Sequence, residues 1–238
     1  ADVRSIRKMR RSTLVALGLV LVASAAIDAV VAQHASPTAD ESLHFEYGAH
    51  VLKFHPDHRY NGGFYDSQMP VSALNAAFNA IPDLLGKHPS PRSIPDTPTH
   101  FHMARSATIL ATLALTLVVF LWSYDLYGDS AAMAASALCM LSPNLIAHGT
   151  LITTDMYQAL GVIAALYFFR QYLLEPTTGR AIVSGLVLAL SQLTKTFTVV
   201  LYFVVIAVLL IAVLRPSTRA SFSVKRLLVF AAAAAVSF

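Results

Sequence analysis

Six ionisable residues have the types and placement to do chemistry at the edge of a membrane. They are the adjacent carboxylates Asp40 and Glu41, the guanidinium of Arg105, His148, Asp155 and the ammonium of Lys195. Each lies close to the end of an apolar run, the first pair eight residues past Ala32. Carboxylates at that level ionise at little cost, because water and headgroups reach them, whereas a few residues deeper they would be expensive. A base placed there meets a lipid-borne and a water-borne substrate together. The plain alternative is that Arg105 and Lys195 snorkel to the interface and the acids sit in water.

Taken singly, these residues differ in what they offer. Asp40 and Glu41 are neighbours, so on a helix they point about 100° apart. One suits the role of base, while the other orients it or caps the following helix. Thr153-Thr154-Asp155 precedes an apolar run, and on spacing alone Asp155 reads as a helix cap. Lys195, between two apolar segments, needs an anion or the interface, and a phosphate at the membrane rim would supply the anion. The loop histidines His50, His55 and His58, with Asp57, match no tight ligand spacing, so no metal site is assigned to them. Tyr60-Asn61-Gly62-Gly63-Phe64-Tyr65 reads as a turn with aromatic residues.

The elements that must position these groups follow from composition and hydropathy. The 238 residues are 56% hydrophobic and 13% charged, against about 25% charged in soluble domains, which places the chain in the membrane class. The lone Cys139 lies in an apolar run, permits no disulfide within the chain and reads as a packed hydrophobe. Neither a Gly-rich phosphate loop nor zinc-finger spacing occurs, which argues against nucleotide chemistry of the Walker or Rossmann kind. The chain starts at Ala1 and ends inside an apolar run, Leu227–Phe238. That run is shorter than the roughly 20 residues of a span, so a processed start and a further C-terminal portion are expected.

In order along the chain, a basic head (1–13) precedes a first span, Leu14–Ala32, interrupted by Asp28, which is expected to face protein or water. A run of nineteen residues exceeds the roughly 7–15 of a signal-peptide core, so it reads as a retained anchor. Residues 33–102 form a long polar loop with eight of the nine histidines. Short helices are expected within it at Ser42–Lys53 and Val71–Leu85, the second carrying Val71, Leu74, Phe78, Ile81 and Leu85 on one side and suited to lie in the interface. Pro82 should kink or end that helix, and the proline-rich 88–98 reads as a linker. Further spans are expected at Met103–Tyr124, Ser130–Ala147 and Met156–Leu174. Ala181–Leu214 divides at the polar Gln192–Thr196, because one helix of that length would be about 51 Å, too long for a hydrocarbon core of roughly 30 Å. A seventh span begins at Leu227.

The expected architecture is therefore an all-α polytopic membrane protein of about seven transmembrane helices, with a long first extracytoplasmic loop that contains interfacial helices. A cytoplasmic N-terminus puts eleven of the seventeen Lys and Arg on inner segments, as the positive-inside rule asks. The basic balance is then topology rather than a nucleic-acid footprint. The same topology brings Asp40-Glu41, Arg105, His148, Asp155 and Lys195 to the outer face.

That pattern resembles the GT-C polyprenyl-phosphate-sugar glycosyltransferases, in particular the protein O-mannosyltransferase-like family 39 and its aminoarabinose transferase-like relatives. The matching stretches are Asp40-Glu41 with Phe45-Glu46-Tyr47-Gly48, Arg105-Ser106, Leu141-Ser142-Pro143-Asn144-Leu145-Ile146-Ala147-His148-Gly149, Thr153-Thr154-Asp155 and Leu193-Thr194-Lys195-Thr196-Phe197. The resemblance implies sugar transfer from a polyprenyl-phosphate donor to a hydroxyl or amine at the extracytoplasmic face of a bacterial inner membrane. Asp40 would be the base with Glu41 beside it, and Arg105, His148, Asp155 and Lys195 would bind donor phosphate and substrate. No resident cofactor or protein-bound metal is required, a divalent cation is compatible, and membrane lipids and a larger membrane complex are the implied partners. One departure is Gln68-Met69-Pro70, which keeps a single proline where the family has a pair. Two alternatives stand beside this reading: a non-catalytic scaffold subunit of a larger complex, and a small transporter, against which the purely basic inner loops argue.

Overall fold

The computed structural model describes residues 9–54, 59–60, 63–64, 69–81, 100–215 and 222–237. Expectations for His55, Asp57, His58, Gln68, Pro82 and the 88–98 linker lie outside those residues, as do the side chains of the Tyr60–Tyr65 turn. The chain divides into two compact units, one of them Met9–Tyr157 and the other including Gln158–Phe238.

The first unit opens with α1, Arg11–His34. Thr13, Leu17, Ser24, Asp28 and Ala32 form its one buried stripe, while Leu14, Val15, Leu19 and Val22 are exposed. An apolar helix that hides only one stripe is dressed for lipid. Asp28 lies on the protein-facing stripe, 1% exposed.

Helix α2, Ala39–Leu52, begins three residues before the expected Ser42. The reason is local: Thr38 and Glu41 form a reciprocal capping box that draws the acid pair into the first turn. A short strand pair follows, β1 (Arg59–Tyr60) antiparallel to β2 (Gly63–Phe64). A 3-10 turn, Pro70–Ser72, then leads into α3, Ala73–Asn79. The side of α3 that packs on the protein is its polar one, and the apolar side expected to suit the interface is left outside. Ser72, Asn75, Ala76 and Asn79 are buried, and Leu74 is 47% exposed. Polar partners decide the rotation: a buried amide must be hydrogen-bonded, and the outer turns of the next helix offer what these asparagines need.

That helix, α4, runs over Phe101–Tyr127, 27 residues, or about 40 Å. Gly128, at a φ of 82° that few other residues adopt, separates it from α5, Asp129–Leu141. The single span expected at Ser130–Ala147 is instead two helices, α5 and α6 (Pro143–Gly149), bent by 60°. Pro143 has no N–H to continue the helix and forces Ser142 into extended backbone, ψ 115°. At the opposite end of α4 from Arg105, Thr13 on α1 donates to the Asp129 carboxylate at 2.6 Å.

Helix α7, Asp155–Leu174, starts in the first unit and continues into the second. In the second unit it is followed by α8 (Thr178–Gln192), a 3-10 turn (Thr196–Val199), α9 (Val200–Leu214) and α10 (Val224–Ala234). The break at Gln192–Thr196 falls where the length argument requires it. Tyr172 stacks on Phe230 with ring centroids 5.5 Å apart, inside a core that includes Phe169, Leu188, Leu201 and Val205. Outside that core α9 exposes Phe203, Ile206 and Leu210.

Among the described residues, α1, α4 and Thr196–Leu214 are long and apolar enough to cross a membrane, with the bent α5–α6 pair as a fourth candidate. The expected seven spans are therefore not reproduced by length and composition: α8 has 15 residues and α10 has 11, below the roughly 17–25 of a spanning helix.

Candidate functional site

The site is built around one carboxylate. With Thr38 as N-cap of α2, Glu41 takes the third helical position, and in the docked helix it lies on the inward face and Asp40 on the outward one. The Glu41 side chain is fully buried. Its Oε1 accepts from Arg105 Nε at 2.8 Å and from the Ile152 backbone N–H at 3.0 Å. Its Oε2 accepts from Arg105 Nη2 at 2.8 Å and from the Thr38 backbone N–H at 2.9 Å. The Thr38 hydroxyl adds a longer bond to Oε2 at 3.4 Å, so every acceptor position of an ionised carboxylate is used.

Arg105 is used as completely. Nη1 donates to the carbonyls of Ala32 (2.6 Å) and Ala35 (2.9 Å), and Nη2 makes a longer bond to the Ser36 carbonyl at 3.4 Å. With the fork to Glu41, all five N–H groups have acceptors. Two of those carbonyls belong to the end of α1, where a cation is favoured by the helix dipole. The Phe101 ring lies 5.4 Å from the guanidinium carbon, at cation–π distance. Burial alone would raise the Glu41 pKa. The bonds from Arg105, Thr38 and Ile152, with the positive charge of Arg105, outweigh it and hold the carboxyl below its ordinary value.

This clamp joins the end of α1, the start of α2, the first turns of α4 and the segment just before α7. It therefore brings Glu41, Arg105 and the chain leading to Asp155 into one place. Asp40 is exposed on the same turn as Glu41. His148, in the last turn of α6, lies 3.5 Å through Nδ1 from Asp155 Oδ2, in the first turn of α7. Both side chains are about half exposed, and Asp155 sits at the helix end a negative charge prefers. Lys195 belongs to the second unit, at the N-terminus of the 3-10 turn, and is partly buried. Among the described residues no group of three or more His, Cys, Asp or Glu could hold a metal ion.

Sequence reasoning missed a second polar joint beside the first. Asn75 on α3 is 1% exposed and donates through Nδ2 to the Ala104 carbonyl (2.8 Å) and to Thr108 Oγ1 (2.9 Å). Its Oδ1 accepts from the Tyr157 hydroxyl at 3.0 Å. Asn79 accepts from the His100 backbone N–H at 2.8 Å. The Thr38-x-x-Glu41 spacing was a readable signal for the cap. Nothing in the sequence singles out Asn75 or Tyr157.

Apolar helices carrying a buried, fully bonded ion pair near one end, with ionisable side chains exposed beside it, define an integral membrane protein with a polar site at the end of its spans. The chain belongs to the dolichyl-phosphate-mannose-protein mannosyltransferase family, whose profile matches residues 99–238. That is a family of membrane glycosyltransferases of the GT-C type. No curated protein and no solved structure matches the chain. The matched region contains Arg105, His148, Asp155 and Lys195, while Asp40 and Glu41 precede it.

Proposed function

We propose that this chain moves a sugar from a polyprenyl-phosphate donor to a hydroxyl or amine acceptor at the extracytoplasmic face of a bacterial inner membrane, with its N-terminus in the cytoplasm. The observation that carries the reading is the Glu41 carboxylate, which ties the turn bearing Asp40 to Arg105 and to the segment leading to Asp155. Asp40 is the base. As the acceptor oxygen or nitrogen bonds to the sugar's anomeric carbon, its proton passes to the Asp40 carboxylate. The bond from that carbon to the phosphate oxygen breaks, and the electron pair leaves with the polyprenyl phosphate. A placed base contributes about 10²–10⁴ in rate, and holding both reactants adds the proximity term.

Glu41 and Arg105 take a supporting role in this scheme. With every N–H of Arg105 already engaged, its charge contributes to the field at the site rather than a bond to phosphate. His148 and Asp155, exposed beside the clamp, are assigned to substrate binding. The family resemblance, and not geometry, assigns Lys195 to the donor phosphate. The scheme requires no cofactor, and a divalent cation is compatible with it.

The test is transfer by the full-length protein in proteoliposomes that contain a polyprenyl-phosphate sugar. Asp40→Asn should abolish turnover and leave the thermal melt unchanged, since its side chain is exposed; unchanged turnover removes Asp40 from the mechanism. One observation favours a second reading, a non-catalytic scaffold subunit: the best-bonded groups, Glu41 and Arg105, hold the chain together. Copurification in fixed stoichiometry with a larger complex, with no transfer, would support that reading.

A further inference from the structure

We infer that Asn75 is a positioning residue, an amide joint that sets the start of α7, and with it Asp155, against the turns of α4 that carry Arg105. The inference deepens the transferase reading and depends on it for the effect on rate, though not for the joint itself.

The joint uses the full two-sided chemistry of a carboxamide. Both N–H groups of Asn75 are given to α4, at Ala104 and Thr108, the residues that flank Arg105 within one turn. The oxygen receives Tyr157, two residues past Asp155. Asn75, Thr108 and Tyr157 are at most 5% exposed, and Ala76 and Ala104 beside them are fully buried. Water therefore does not compete for these bonds, and solvent does not replace a partner that is lost. No neighbouring residue type replaces the amide. A carboxylate would set an acceptor against the Ala104 carbonyl, and Gln adds a methylene where two alanines already fill the space.

The Glu41 clamp fixes the same segment from the other side, through the Ile152 backbone three residues before Asp155. Asp155 thus sits between two anchors, one ionic and one neutral, that converge on the same turns of α4. The neutral anchor comes from the outer-loop helix α3, which gives that helix a reason to dock by its asparagines rather than by Leu74. Misplacing a substrate-positioning group by about 1 Å costs on the order of 10²-fold in rate, so slack in this joint should appear in turnover.

The experiment uses Asn75→Ala and Tyr157→Phe in the full-length protein; the second removes one hydroxyl and keeps the buried ring. Spin labels at His102→Cys and Asp155→Cys, in a Cys139→Ala background, report the spacing of α4 and the α7 start by dipolar EPR, whether or not transfer occurs. The expected result is one narrow distance distribution in the parent and a broadened or split one in both variants. Without labels, kcat per folded molecule should fall about 10–100-fold, with the KM for donor within twofold of the parent. An unchanged distance distribution overturns the inference, and so does a kcat within twofold of the parent at equal folded fraction. A parent that shows no transfer at all sinks the transferase reading instead, and the EPR measurement still decides the joint.

Discussion

Glu41→Gln should destabilise this protein strongly before it reveals anything about catalysis. Each carboxylate oxygen accepts at least two bonds, Oε1 from Arg105 and Ile152, Oε2 from Arg105 and the Thr38 backbone, with the Thr38 hydroxyl farther off. Glutamine keeps one of these oxygens. Its amide nitrogen, wherever it turns, faces two donors, so two bonds are lost and donors oppose each other. Arg105, 1% exposed, also loses its counter-charge. Breaking a buried pair by removing one partner costs about 3–5 kcal/mol, a large share of the roughly 5–15 kcal/mol that holds a protein folded. At about 1.4 kcal/mol per decade the folded-to-unfolded ratio should fall by a factor of about 10²–10⁴. Reversible denaturant unfolding of the purified full-length protein, followed by circular dichroism, reads this directly, with Asp40→Asn as the control from the same turn. A double variant, Glu41→Gln with Arg105→Met, should cost less than the two single changes added, because each single change strands a charge that the other removes. A Glu41→Gln loss under about 1 kcal/mol, the range of exposed ion pairs, would refute the claim that this pair holds the site together.

Acid should weaken the same clamp. The folded-state pKa of Glu41 is depressed, so its contribution is fully present above the unfolded value of about 4.3 and is lost as pH falls through the lower folded value. Melts taken from pH 6 downward should show the parent losing stability below about pH 4, while Glu41→Gln shows a shallower loss. Parallel curves would mean that another group governs the acid limb. Gly48→Ala should undock α2 from the Pro70–Ser72 turn, because the added methyl group would lie 2.5 Å from the Ser72 carbonyl carbon, part of a backbone that cannot swing aside. A cost of about 1–3 kcal/mol is expected, with faster amide exchange in Ala39–Leu52, and unchanged exchange there would count against that contact.

Local features of the chain were enough to place most helices and to pick out the segments that meet. Apolar run length marked α1, α4 and the divided Ala181–Leu214, because hydrocarbon thickness and helix rise set those lengths wherever the rest of the chain lies. The Glu41 clamp joins the first-loop acid pair to Arg105 and to the segment leading to Asp155, three of the stretches that the sequence singled out. Tertiary structure decided the division of labour. Asp40 and Glu41 differ by one step around a helix, and only the docking of α2 turns Glu41 inward, toward partners 64 and 111 residues away. The same holds for α3, where the backbone and hydroxyl of α4 selected Asn75, a residue that the apolar pattern did not mark. Pairings at that sequence distance leave no periodic trace, since they depend on which donors two helices present once packed. The bend at Ser142-Pro143 is the contrasting case: its cause is local and readable, but a run of apolar residues hid it.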